Sequence, residues 1–335
     1  MTAPRVAIVT PVYNGENFLA ETMACVQAID YPNLVHVVLD NCSTDSTASI
    51  IASFTGQRHP LVIARNETTV PMAANWNAAL THVPADADYF WLLCHDDKLS
   101  PDSIAKLVAV AESDPEVMIV GCQWRTERLF GDELPKDQSV FDGKEVMRTY
   151  FRRSHAALST MNALGRRSLL VDGKDYYDST ICMFDADALL RACLSGKYGF
   201  VHEELAFWRM HDQSTTATIS ERMQLFQTDW LLLLDRYGSY VMGFREYLDA
   251  RRRFRHSYLR RLLLQCVRTR DFSLLRWHMR ELKSRDDEVS IIDIFAAFAD
   301  WAGLLVTGRK SRVAAPLRHM VSPHGAGVTS RPLSY

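Results

Sequence analysis

Short apolar runs alternate with amphipathic stretches through the first hundred residues. Val6-Ala7-Ile8-Val9 is unbroken and apolar and closes on Thr10-Pro11, as expected of a strand covered on both faces. Residues 17–28 place Phe18, Met23, Val26 and Gln27 at broadly helical spacing. Residues 35–39 predict a second strand, stopped by Asp40-Asn41-Cys42-Ser43-Thr44-Asp45. Ser43 or Thr44 is expected to cap the helix that follows through Ser49, Ile50 and Phe54. A third strand is expected over residues 61–64, a third helix over 72–82, and a fourth strand, the most apolar of the set, over 89–94.

Strand–helix alternation at this spacing predicts an α/β fold, a mainly parallel sheet with helices on both faces. Such sheets bind ligands beyond the carboxyl ends of their strands. That rule singles out Thr10-Pro11-Val12-Tyr13-Asn14, Asp40-Asn41, Arg65-Asn66 and His95-Asp96-Asp97, each following a strand. A fifth strand is expected over residues 118–124. Residues 126–142, rich in charge, Gly and Pro, read as a loop, and a mixed segment runs on to about His211. Beyond Ser220 the pattern is helical and carries Arg251, Arg252, Arg253, Arg255, Arg260, Arg261, Arg268 and Arg270. The chain thus divides into residues 1–220 and a helical region 221–335, whose end from Arg309 is expected to fray.

Composition narrows the class. Of 335 residues, 47% are hydrophobic and 23% charged, with a net charge of −2, so the chain should fold and shows no nucleic-acid signature. Seven cysteines without a Cys-x-x-Cys pair suggest reduced thiols. The first residues lack a secretory pattern. No run reaches the roughly 18 apolar residues of a membrane span. The nearest, residues 291–306, contains Asp293 and Asp300 and reads as amphipathic. A cytoplasmic protein is expected.

Three clusters carry chemistry. In His95-Asp96-Asp97 an apolar strand delivers two adjacent carboxylates, the oxygen donors that Mg²⁺ and Mn²⁺ select. The same acids suit a helix cap. Asp40, at the end of the second strand, can accept hydrogen bonds from a base or ribose while Tyr13 stacks on it, and turn chemistry is the alternative. Asp185 and Asp187 stand at a predicted helix start, where either can cap the helix or serve as a general base. His211 follows in Arg209-Met210-His211.

In order and approximate spacing, Thr10-Pro11-Val12-Tyr13-Asn14, Asp40-Asn41-Cys42-Ser43-Thr44-Asp45, His95-Asp96-Asp97, Asp185-Ala186-Asp187 and Arg209-Met210-His211 resemble family 2 glycosyltransferases over residues 5–215. The resemblance implies a GT-A fold (Rossmann-like, with the helical extension added here) and an inverting, metal-dependent transfer from a nucleotide sugar. Asp40 would meet the base, Asp96 the ribose, and Asp97 the Mn²⁺ or Mg²⁺ bridging the diphosphate, with His211 completing that site. Thr10, Pro11, Tyr13 and Arg65 would line the nucleotide-sugar pocket. Asp185 aligns with the acceptor base, Asp187 with a supporting position, and either could be the base. Four positions depart from the common pattern: Asn41 for an acid, His95 for the first acid of Asp-x-Asp, Trp76 near a frequent Arg, and Phe184 for a Glu. A Gln-x-x-Arg-Trp signature is absent, which favours single transfers.

By the same resemblance the donor defaults to a UDP-sugar and the acceptor to a saccharide or lipid-linked saccharide, in surface polysaccharide or glycolipid synthesis. The arginine-rich helices fit a solvated face, an anionic membrane surface on the inner side of the cell membrane, or a homodimer contact. A nucleotidyltransferase would carry a Gly-rich basic phosphate loop, which residues 11–16 lack. A binding module without turnover is the other alternative.

Overall fold

The structure, a computed structural model, describes residues 2–127, 129–131, 134–153, 163–211, 225–285 and 287–306. It divides into two compact units, whose described residues are those up to 146 and 163–210 in one and 147–153, 211 and those from 225 on in the other. The expected boundary at 220 and the expected fraying from Arg309 lie outside the described residues.

The first unit opens with β1 (Val6–Val12), α1 (Leu19–Gln27), β2 (Leu34–Asp40), α2 (Thr47–Ser53), β3 (Leu61–Arg65), α3 (Met72–Leu80) and β4 (Tyr89–Leu92). Every residue of β1, β2 and β4 is buried, which is why these strands read as apolar runs without alternation. Val12 and Val38 pack with Leu19 and Met23 of α1 and Ile51 of α2 in one buried cluster. Helix α3, Met-Ala-Ala-Asn-Trp-Asn-Ala-Ala-Leu, starts after Pro71 and is rich in strong helix formers.

The chain continues through β5 (Lys98–Leu99), α4 (Ser103–Ser113), β6 (Val117–Arg125), β7 (Leu129–Phe130), β8 (Val140–Phe141), α5 (Gly143–Arg153), β9 (Ala163–Arg166), α6 (Phe184–Ser195) and β10 (Lys197–Phe207). Helix α5 runs from the first unit into the second. The sheet order is β3-β2-β1-β4-β9-β6-β10-β5, with β7 on β6 and β8 on β10. Strands β3, β2, β1 and β4 are mutually parallel, as are β6 and β10, while β9 lies antiparallel between β4 and β6. The expected loop over 126–142 therefore contains two short strands, β7 and β8, too brief to show a period. Ser43 and Thr44 do not cap α2. Its first residue is Thr47, whose backbone N–H donates to Asp45 Oδ1 at 3.0 Å.

In the second unit lie the end of α5 and α7 (Leu225–Val241), α8 (Phe244–Thr269), α9 (Ser273–Ser284) and α10 (Ile291–Val306). Arginines here face acids of the same unit: Arg251 pairs with Asp235 and Asp287, Arg255 with Asp287 and Asp293, and Arg285 with Asp229 and Glu281. Among the described residues no helix is long and apolar enough to cross a membrane.

Candidate active site

Register brings the candidate residues together. Val12 of β1 lies beside Asp40 of β2, and Asp40 beside Arg65 of β3, so three strands end at one edge. Thr10 is buried and its hydroxyl bonds the His36 ring at 3.0 Å. Burial holds His36 neutral by lowering its pKa to about 3, so Thr10 and the buried Pro11 shape the edge from beneath. Tyr13, just past the strand, is 46% exposed and free to meet a ring.

Two adjacent loops are stitched to one another. The Asn14 N–H donates to the Ser43 hydroxyl at 2.9 Å, and the Thr44 N–H donates to Asn14 Oδ1 at 2.9 Å. The Gly15 N–H donates to Thr47 Oγ1 at 2.8 Å. Asn14 and Cys42 have φ of +47° and +61°. Asn takes that left-handed region readily. Cys42 takes it at a cost, the kind of strain that collects at functional loops.

Asp40 is 2% exposed and fixed on both oxygens: Oδ1 accepts from the Ser43 N–H at 2.9 Å and Oδ2 from the Arg65 guanidinium. Arg65 also donates to the Ser43 carbonyl at 2.8 Å. Arg65 thus serves Asp40 in this structure. Asn41, 3% exposed, donates to the Val70 carbonyl and accepts from Val70 and Asn66. An amide can do both, which an acid at that position could not.

The second cluster follows β4. Cys94, Asp96 and Asp97 bring a thiol and two carboxylates to within 4.8 Å of one another. Asp97 is 5% exposed; its Oδ1 accepts the Arg209 backbone N–H at 3.0 Å. Burial pushes its pKa well above the usual carboxylate range, the neighbouring Asp96 adds to this, and Arg209 opposes it. Thr22 of α1 donates to the carbonyls of His95 and Asp97 at 2.8 and 2.9 Å, and the Arg209 guanidinium holds the Asp96 carbonyl at 3.0 Å and pairs with Glu21. The loop is therefore clamped largely through its backbone carbonyls. Neither acid caps α4, which begins at Ser103. Two close carboxylates, one buried, make a donor set that suits a hard divalent cation, since a cation would offset the repulsion that raises Asp97.

Asp185 and Asp187 lie in the first turn of α6 but do not cap it. Asp187 is 1% exposed and its Oδ2 accepts from Arg191 at 2.8 Å, one turn on. Asp185 is half-buried. Burial lifts the Cys94 thiol pKa, and the charges of Asp97, Asp96 and Asp185 lift it further, so Asp185 lies within electrostatic reach of that thiol. His211 is partly buried and is the first residue of the chain's return to the second unit. Sequence reasoning passed over Arg209, Thr22 and Glu21. Arg209 stood inside a motif already singled out, whereas Thr22 and Glu21 carried no signal beyond a helical face.

Residues 7–172 match the model of glycosyl transferase family 2. The chain belongs to that family. It is 24% identical over 234 residues to the uncharacterized glycosyltransferase RT0329 of Rickettsia typhi, covering 68% of this chain and 71% of that one. Two other curated relatives are spanned over only 13% and 43% of their length. Among solved structures, S. aureus TarS 1–349 in complex with UDP-GlcNAc superposes with a TM-score of 0.55 at 15% identity, over 85% of this chain and 92% of that one. The mannosyltransferase PcManGT from Pyrobaculum calidifontis, in complex with GDP-Man and Mn²⁺, gives 0.56 at 18% identity, over 93% and 83%. At such identities the likeness establishes the fold, which is GT-A with a helical C-terminal part.

Proposed function

We propose that this glycosyltransferase moves a sugar from a nucleoside-diphosphate sugar to a hydroxyl of a saccharide acceptor, with inversion and with a divalent metal ion. The observation that supports the reading is that Asp40, Asp96 and Asp97 follow strands that end at one edge of the sheet, with Asp185 within electrostatic reach of Cys94 beside them. Tyr13 and Asp40 take the nucleoside. Asp96 takes the ribose, and Asp97 with Asp96 beside it holds Mn²⁺ or Mg²⁺. Such an ion supplies neutralisation of the charge that grows on the departing diphosphate.

Asp185 is the base in this reading, because Asp187 is committed to Arg191 inside the fold. The acceptor oxygen forms its bond to the anomeric carbon as that carbon's bond to the diphosphate oxygen breaks. The hydroxyl proton passes to the Asp185 carboxylate. One displacement inverts the anomeric centre. UDP is the default leaving group, and surface polysaccharide or glycolipid is the acceptor class carried by the family resemblance.

The test is a thermal-shift titration with UDP, GDP, CDP and dTDP, each with Mn²⁺ and with EDTA. One nucleotide should raise the melting temperature as its concentration rises, in the presence of metal only. No shift with any of the four would contradict the donor site.

A further inference from the structure

Helix α3 carries three consecutive side chains, Asn75, Trp76 and Asn77, that reach two different parts of the site. Asn75 Oδ1 accepts from Asn66 Nδ2 at 3.0 Å, and the same Asn66 amide donates to Asn41 Oδ1 at 2.8 Å. Asn41 is the neighbour of Asp40, so this amide chain ends on the nucleoside side. Asn77 turns to a segment a hundred residues away. Its Nδ2 donates to the Tyr177 carbonyl and its Oδ1 accepts the Tyr177 N–H, both at 2.8 Å. Trp76 sets its ring edge-on to Tyr177, with centroids 5.3 Å apart, and to Phe184 at 5.0 Å. All three rings are buried.

Phe184 is the residue before Asp185. From the other side Arg191 of α6 donates to the Tyr176 carbonyl and to Asp187. The Tyr176-Tyr177 segment is thus held between α3 and α6, and the start of α6 is held against Trp76. Two of the departures noted in the sequence, Trp76 and Phe184, are in contact with each other: an apolar pair stands where polar side chains are the commoner pattern.

We propose that Asn77 and Trp76 are positioning residues that set the Asp185 carboxylate against the donor pocket, while Asn75 serves the nucleoside side of the same helix. The inference rests on Asp185 being the acceptor base. A displaced base lowers turnover without changing how the donor binds, because the nucleotide contacts lie on other loops. Misplacement by about an ångström can cost on the order of 100-fold in rate.

The experiment is steady-state transfer by the full chain, with the donor identified by nucleotide titration, for wild type, Asn77→Ala, Asn77→Asp, Trp76→Phe, Trp76→Ala and Asn75→Ala. Asn77→Ala and Trp76→Ala should lower kcat roughly 10- to 100-fold with donor KM within about twofold of wild type. Trp76→Phe keeps an aromatic edge and should restore most of kcat. Asn75→Ala should raise donor KM instead. Asn77→Asp keeps the acceptor for the Tyr177 N–H and loses the donor, so it should fall between, and it reads the contact if Asn77→Ala does not fold. Lower melting temperatures with kcat unchanged in the folded Asn77 variants would overturn the proposal as merely structural packing. If instead wild type neither binds a nucleotide with metal nor turns over, the functional reading itself fails and this inference with it.

Discussion

Asp97 stands in surroundings that penalise its charge. It is buried, and Asp96 lies beside it, so its folded pKa is raised. For a carboxyl group the sign follows directly. Above about pH 4 the unfolded chain has released this proton while the folded chain still holds it. In the metal-free protein this group therefore costs stability as pH rises through that window. Asp97→Asn should raise the metal-free melting temperature at pH 7, since an amide oxygen can still accept the Arg209 N–H. The same change should erase the metal-dependent gain from nucleotide. Differential scanning calorimetry at pH 4.5 and 7, with and without Mn²⁺, checks both parts, and a destabilised variant at pH 7 would contradict the first. Residue-scale roles were partly legible in the sequence. Asp187 and Arg191, four apart on one helix, form an ion pair that their spacing allows but that the reading of Asp187 as cap or base did not include. The Trp76–Phe184 contact spans more than a hundred residues, and no local pattern encodes it.

Among the elements, the strands that build the site were the easiest to read. β1, β2 and β4 are buried on both faces, and burial writes itself as an apolar run. β5, β7 and β8 have two residues each, a single period, and exist because a neighbouring strand offers partners. β9, Ala-Leu-Gly-Arg, is antiparallel within a mainly parallel sheet and too short to announce itself. Helix boundaries were shifted by side chains that take over capping, as Asp45 does at Thr47 through its backbone and hydroxyl. Gly143, at the start of α5, lies so close to the carbonyls of Cys193 and Gly196 that a Cβ would collide with backbone. Gly143→Ala should cost at least about 2 kcal/mol, because backbone cannot turn aside as a side chain can. Urea unfolding measures it, and an unchanged midpoint would show that this approach is looser than described.

At the scale of the molecule, the chain's two characters were visible as a change from strand–helix alternation to arginine-rich helices. What the arginines do was not visible, since a basic helix face looks the same whether solvated, bound or paired. In the second unit Arg251, Arg255 and Arg285 face Asp235, Asp287, Asp293, Asp229 and Glu281. Glu246 pairs with Arg148 and Arg152, and Asp271 accepts the Ser273 N–H. In the proposed reading, function is gathered on one edge of one sheet, where the segments after β2 and β4 carry Asp40, Asp96 and Asp97. The most direct test of that account is release of nucleoside diphosphate from the nucleotide sugar that binds, with Mn²⁺ and acceptor, by wild type, Asp185→Asn and Asp187→Asn. The account predicts that Asp185→Asn binds donor normally and turns over at least about 100-fold more slowly, while Asp187→Asn stays within a few-fold of wild type at a temperature where it is folded. Full activity in Asp185→Asn, or its loss only in a folded Asp187→Asn, would contradict the assignment of the base and the site built around it.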